Sequence, residues 1–191
     1  MSGFPSVKSL IPPKDRKANL EYRSWIERFA TTDVGFRKDI LGRCAEDFPF
    51  WCDSFAWVYE PRPDREDRTA AKIKPFTLWS HQERAYRELA EDFGYQDIGV
   101  IKSRGEGASW LVIGMMVWKW QFAELEAYGL VSRNELAADN PDDPDSLMWK
   151  AEMLVQRMPD WMCCEEDYSR NHAARQHGSL HFLSAKYHHP K

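Results

Sequence analysis

Asp97-Ile98-Gly99-Val100-Ile101 runs directly into Lys102-Ser103-Arg104-Gly105-Glu106-Gly107-Ala108-Ser109. The first five residues form a short apolar run of the kind found in a buried parallel strand. The next eight hold two glycines and two cations, the composition of a turn. An apolar helix is expected to follow, from about Trp110 to Ala127, and then a second short strand over 128–132. Strand, glycine-bearing loop, helix, strand is the order of a βαβ unit.

The loop has a chemical reading. A phosphate-binding loop follows the pattern GxxxxGK[ST]: its turn aims backbone N–H groups at the phosphates, and the next helix adds its positive end. The lysine neutralises the β- and γ-phosphates, and the Ser/Thr hydroxyl ligates Mg²⁺. Aligned on Gly107-Ala108-Ser109, Gly107 takes the second glycine position and Ser109 the Mg²⁺ position. Ala108 stands where the lysine belongs, and Lys102 stands where the first glycine belongs. A lysine at the loop entrance can still fold its side chain over the phosphates. Arg104 adds a second cation. Glu106 is unfavourable so near phosphates unless it points away. A plain surface turn explains the same residues taken alone, but the flanking strand and helix are the context the motif requires. The fold class read from this is α/β: an incomplete P-loop NTPase-like βαβ core, preceded by a helical, aromatic-rich segment.

Upstream, residues 1–18 carry Pro5, Pro12 and Pro13 among Lys and Ser, and read as a mobile lead-in. Leu20, Tyr22, Trp25, Ile26 and Phe29 predict a short helix from Asn19 to about Ala30. Asp33 is placed to cap a second helix carrying Phe36, Ile40, Leu41 and Cys44. Phe48 to Tyr59 is densely aromatic and predicts a buried helix with an extended exit, stopped by Pro61 and Pro63. Residues 60–74 read as a charged loop, and a helix is expected from near Ser80 through Gln82, Ala85, Tyr86 and Leu89. Downstream, Asp145 is expected to cap a helix containing Leu147, Met148, Ala151, Leu154 and Val155, and 178–183 reads as a last short strand. The chain thus divides into the lead-in 1–18, a helical and aromatic segment 19–74, and a partial nucleotide-binding domain 75–191.

Composition narrows the classes. The chain is 191 residues, 43% apolar and 29% charged, which supports a packed core and excludes compositional disorder. No run reaches the ~20 apolar residues that cross a bilayer. The N-terminus shows no signal-peptide pattern, so a cytosolic setting is the expectation. Cys44, Cys52, Cys163 and Cys164 form no CxxC pair and read as reduced thiols. A net charge of −4 does not mark a nucleic-acid binder, but the charge is uneven. Residues 1–44 carry nine Lys/Arg against five Asp/Glu, and residues 134–168 carry two against ten. Contact with a phosphate backbone would have to use local patches.

Two other constellations compete. His172, His177, His181, His188 and His189 lie close downstream of Cys163 and Cys164, and imidazole and thiolate are good zinc ligands. Their spacing matches no finger pattern, and Gly178 argues against His177 and His181 sharing a helix face. The aromatic block 48–59 has the rings to stack single-stranded bases. It carries no interleaved Lys or Arg, so core is the better reading.

The segment Lys102-Ser103-Arg104-Gly105-Glu106-Gly107-Ala108-Ser109-Trp110-Leu111 resembles the displaced-lysine nucleotide loop of the large terminase subunits of tailed bacteriophages, the motors that pump DNA into procapsids. Three further segments resemble that family in the expected order. Phe50 to Arg62 ends in a Trp-x-Tyr-x-Pro-Arg pattern. Pro75-Phe76 through His81-Gln82-Glu83 to Leu89 is similar to the element whose glutamine reads adenine. Gly129 to Glu135, followed by Asp143 to Lys150, is similar to the strand and helix after the loop. The resemblance spans about residues 45–162.

The resemblance implies ATP and Mg²⁺ as cofactors and a nucleotide site made of Gln82, Lys102, Ser103, Arg104, Gly105, Gly107, Ala108 and Ser109. Lys102 and Arg104 would contact phosphates, and Gly105 and Gly107 would let the backbone approach them. Ser109 would ligate Mg²⁺, and Gln82 would hydrogen-bond adenine. It implies double-stranded DNA, a terminase small subunit and a portal as partners, a homo-oligomeric ring for the full-length protein, and a host-cytoplasmic location with no membrane contact. Two expected parts are missing. No apolar strand after residue 110 ends in Asp-Glu, the pair that would hold Mg²⁺ and activate water. Nothing resembles the family's acidic nuclease domain. The sequence therefore reads as a truncated ATP-binding part of a terminase large subunit, without catalytic residues, that binds ATP weakly or not at all and does not hydrolyse it. The alternatives are a non-catalytic interaction protein on a P-loop-like scaffold and a small metal-binding domain built on the C-terminal Cys/His cluster.

Overall fold

A computed structural model describes residues 6–62, 72–103, 105–122 and 128–162. Among them the chain is mostly helical, with one small antiparallel sheet and several aromatic clusters. The helices are α1 (Arg16–Thr32), α2 (Val34–Glu46), α3 (Phe48–Phe55), α4 (Ser80–Asp92), α5 (Ala108–Phe122), α6 (Glu135–Ala138) and α7 (Leu147–Gln156). The strands are β1 (Trp57–Tyr59) and β2 (Ile73–Pro75), paired with Trp57 opposite Pro75 and Tyr59 opposite Ile73.

Three aspartates punctuate the N-terminal helices. Asp15, Asp33 and Asp47 each accept the N–H three residues on, from Ala18, Phe36 and Phe50, at 2.9 Å. Each satisfies one of the amides that a helix start leaves without an intrahelical partner. Asp33 and Asp47 also donate their own N–H to Phe29 and Arg43, so each closes one helix as it opens the next. Pro49 sits in the first turn of α3, where its missing N–H costs nothing.

The aromatic block is core. Every residue of α3 except Pro49 is buried. Phe48 stacks on Tyr86 of α4 at 4.7 Å and meets Trp118 of α5 edge-on at 5.6 Å. The α5 helix is apolar on nearly every side and packs against α3, α4 and α7, as an all-round apolar helix must. Trp118 Nε1 donates to the Cys44 carbonyl at 2.7 Å, satisfying an orphan acceptor at the end of α2.

The C-terminal end of α3 is closed by α1. Asn19 Nδ2 and Arg23 Nη2 both donate to the Asp53 carbonyl at 2.9 Å, and Arg23 Nε donates to Asn19 Oδ1 at 2.6 Å. A buried cation at the negative end of a helix dipole is favourable. Burial nonetheless pulls the Arg23 guanidinium down to about 10, and the nearby Asp53 carboxylate only partly restores it.

Residues 6–18, which read as a mobile lead-in, are tied to the body. Val7 is buried, and Arg43 Nη1 donates to the carbonyls of Val7 at 2.6 Å and Leu10 at 2.7 Å. Lys14 Nζ bridges Asp53 Oδ2, the Leu78 carbonyl at 2.9 Å and Glu83 Oε1 at 2.6 Å.

The expected strands differ most from the structure. Residues 97–103 and 128–132 run as irregular chain, and no parallel pair forms among the described residues. Ile98, Val100 and Ile101 are exposed, Ile101 fully so. An extended segment becomes a strand only when a neighbour takes its N–H and C=O groups, and no described segment lies alongside to do so. The helix cap also shifts by one residue. Ser146, not Asp145, caps α7 through its bond from the Trp149 N–H at 3.3 Å. The Asp145 carbonyl is held by Lys150 Nζ, whose ammonium burial lowers from its usual value. The expected strand at 178–183 lies outside the described residues. Among the described residues no helix is long and apolar enough to cross a membrane.

Candidate functional site

The glycine loop sits against the first turn of α4, and the core fixes that turn. Asp53 Oδ1 accepts the Leu78 N–H at 2.7 Å, and Lys14 holds the Leu78 carbonyl from the other side. Burial pushes the Asp53 carboxyl up, against the pull of Lys14 and the Leu78 amide. Burial lowers the Lys14 ammonium, but its hydrogen bonds to Asp53 and Glu83 outweigh that and hold it above its usual value. The chain therefore enters α4 at a fixed point.

Gln82 is the strut between α4 and the loop. It is 4% exposed. Its Oε1 accepts the Trp79 N–H at 2.9 Å, half of a capping box; the indole of Trp79 has no acceptor to complete the other half. Its Nε2 donates to the Glu106 carbonyl at 3.1 Å. Both ends of the amide are thus committed to main chain.

The loop needs its glycines. Gly105 and Gly107 have φ of +88° and +71°, a region that other residues enter at a cost. A Cβ on Gly107 would also lie 2.5 Å from Gln82 Nε2, which its two hydrogen bonds hold in place. The Gly107 carbonyl accepts the Leu111 N–H at 3.0 Å and so begins α5. Glycine brings no side chain to cap that start, leaving the first-turn amides of α5 without a cap from this position. Ser109 lies exposed in that turn.

Lys102 and Ser103 are exposed on the approach to the loop, and Lys102 Nζ donates to the Ser103 carbonyl at 3.3 Å. Arg104 lies outside the described residues. Glu106 Oε2 is 3.2 Å from His81 Nε2, which makes no hydrogen bond there. The His81 ring lies 5.3 Å from the ring of Trp79, which is 55% exposed.

The structure therefore gathers Gln82, Gly105, Gly107, Ala108 and Ser109 at one place, with Lys102 and Ser103 leading in. Trp79 and His81 join them. The sequence reading places His81 in the element similar to the adenine-reading one and takes Trp79 as packing around the nucleotide module, but gives neither a binding role. It also passed over Lys14 and Asp53, for which the sequence carried no signal. Cys163, Cys164 and the C-terminal histidines lie outside the described residues, and among the described residues no group of three or more His, Cys, Asp or Glu could hold a metal. Compared with known proteins, the chain matches no family model, no curated protein and no solved structure, so the site is read from its own residues alone.

Proposed function

We propose that the loop from Lys102 to Ser109 binds the phosphates of ATP with Mg²⁺, and that the chain is an ATP-binding part of a DNA-packaging terminase large subunit. The observation that carries the reading is the pair of left-handed glycines delivering the backbone into the start of α5, with an exposed lysine at the entrance. Backbone amides and the helix dipole supply the phosphate cradle. Lys102 supplies the mobile charge, and Ser109 offers its hydroxyl to Mg²⁺. Gln82 fixes the loop against α4. The order of the loop and the apolar helix α5 after it supports the reading, whereas residues 97–101 pair with no strand among the described residues. Double-stranded DNA, a small subunit, a portal and further copies in a ring are the partners this reading entails.

The test is calorimetric titration of the whole chain with Mg²⁺·ATP and with ATP plus chelator. Weak, Mg²⁺-dependent binding that Lys102→Ala abolishes is expected, with no release of phosphate. Absence of binding at millimolar ATP would overturn the reading. A second reading, a non-catalytic interaction protein on the same scaffold, draws on the exposed Ile98, Val100 and Ile101. It predicts that ATP leaves the chain's behaviour unchanged.

A further inference from the structure

We propose that Trp79 is the base-stacking residue of this nucleotide site, and that the site selects purines by stacking instead of selecting adenine by hydrogen bonding. The proposal rests on the nucleotide reading above and departs from it in one respect. Gln82 presents almost no open edge to a base while it holds the loop. It is buried, its Oε1 takes the Trp79 N–H, and its Nε2 reaches the Glu106 carbonyl. Presenting that amide to adenine would release the contact that sets Gly107 at the start of α5.

The same edge of α4 offers another base platform. The Trp79 indole is 55% exposed, while its main chain is fixed. Its carbonyl accepts the N–H groups of Gln82 at 2.9 Å and Glu83 at 3.0 Å, and its own N–H goes to Gln82 Oε1. The half-exposed ring stands on an ordered backbone, so a base landing on it costs no loop ordering, only the rotamer freedom of the indole itself. His81 flanks it at 5.3 Å, with planes tilted by 55°, and links it to the loop through the 3.2 Å contact with Glu106. The indole is thus linked through His81 and the Glu106 side chain to the residue preceding Gly107. Stacking accepts any base and favours the larger π-face, so a site without a free hydrogen-bonding edge ranks bases by size.

The test titrates the full chain with the Mg²⁺ complexes of ATP, GTP, CTP and tripolyphosphate, using the native protein and Trp79→Leu, Trp79→Phe and Trp79→Ala. The expected result is ATP and GTP within about threefold of each other and both tighter than CTP. Trp79→Leu and Trp79→Ala should weaken ATP by about tenfold or more. Trp79→Phe should recover most of that loss, and tripolyphosphate affinity should stay constant throughout. Trp79→Leu keeps apolar bulk without a π-face, so loss in that variant separates stacking from simple cover. Unchanged ATP affinity in Trp79→Leu overturns the proposal and leaves the nucleotide reading standing, as does a strong preference of the native chain for ATP over GTP. Failure of both ATP and tripolyphosphate to bind the native chain overturns the nucleotide reading and this proposal with it.

Discussion

Gly107 shows how much one residue's lack of a side chain decides. Its φ of +71° alone would cost another residue about 1–2 kcal/mol, and a Cβ would also strike the locked amide of Gln82. We expect Gly107→Ala to lower stability in urea by at least that amount. Combined with Gln82→Ala the loss should be smaller than the two single losses together, because removing the strut removes the clash. Strict additivity would show that the close approach costs nothing. Tyr22 offers a second residue-scale test. Burial pushes its phenol up to about 12, from an ordinary value of 10.0. Between those pH values the unfolded chain loses a proton that the folded chain keeps. Stability contributed by the neutral phenol is therefore intact below pH 10 and lost as pH rises toward 12. Tyr22→Phe should flatten that alkaline decline by about 1–2 kcal/mol, read from urea midpoints across the window.

At the scale of elements, helices and extended segments behave differently. The helix near Ser80, the Asp33 cap and the long apolar helix after the loop are legible in the sequence, because their hydrogen bonds and caps lie within four residues. The strand status of 97–101 is not legible, since its partner would have to come from elsewhere in the chain. That difference can be measured. Ile101→Lys should shift stability by less than about 0.5 kcal/mol, as at any exposed position, whereas Leu111→Ala in α5 should cost about 2–5 kcal/mol. A large loss from Ile101→Lys would mean that the segment is buried in a sheet after all. The closure of α3 belongs to this scale too. Arg23→Met removes the Nη2 hydrogen bonds to the Cys52 and Asp53 carbonyls and the Nε bond to Asn19 Oδ1, and a loss of about 2 kcal/mol is expected in the same assay.

At the scale of the molecule, one apolar core among the described residues runs from Val7 through α3 and α5 to Met162. Thermal unfolding followed by near-ultraviolet and far-ultraviolet circular dichroism should therefore give coincident transitions, and two separated steps would contradict a shared core. What the sequence by itself determined is the local part: most of the helical segments, that the aromatic run from Phe48 to Ala56 is core, and that two glycines precede an apolar helix. What only the tertiary structure decided is who meets whom. Lys14, from a proline-rich stretch with no periodic signal, reaches Asp53 and Glu83 and anchors α4. Gln82, which the resemblance casts as a reader of adenine, is spent on the Trp79 and Glu106 backbones, and Trp79 is left facing solvent. The reason is physical. Propensity, capping and apolar period act along the chain within a turn or two, whereas a long polar side chain takes whichever partner the packed core brings within hydrogen-bond distance.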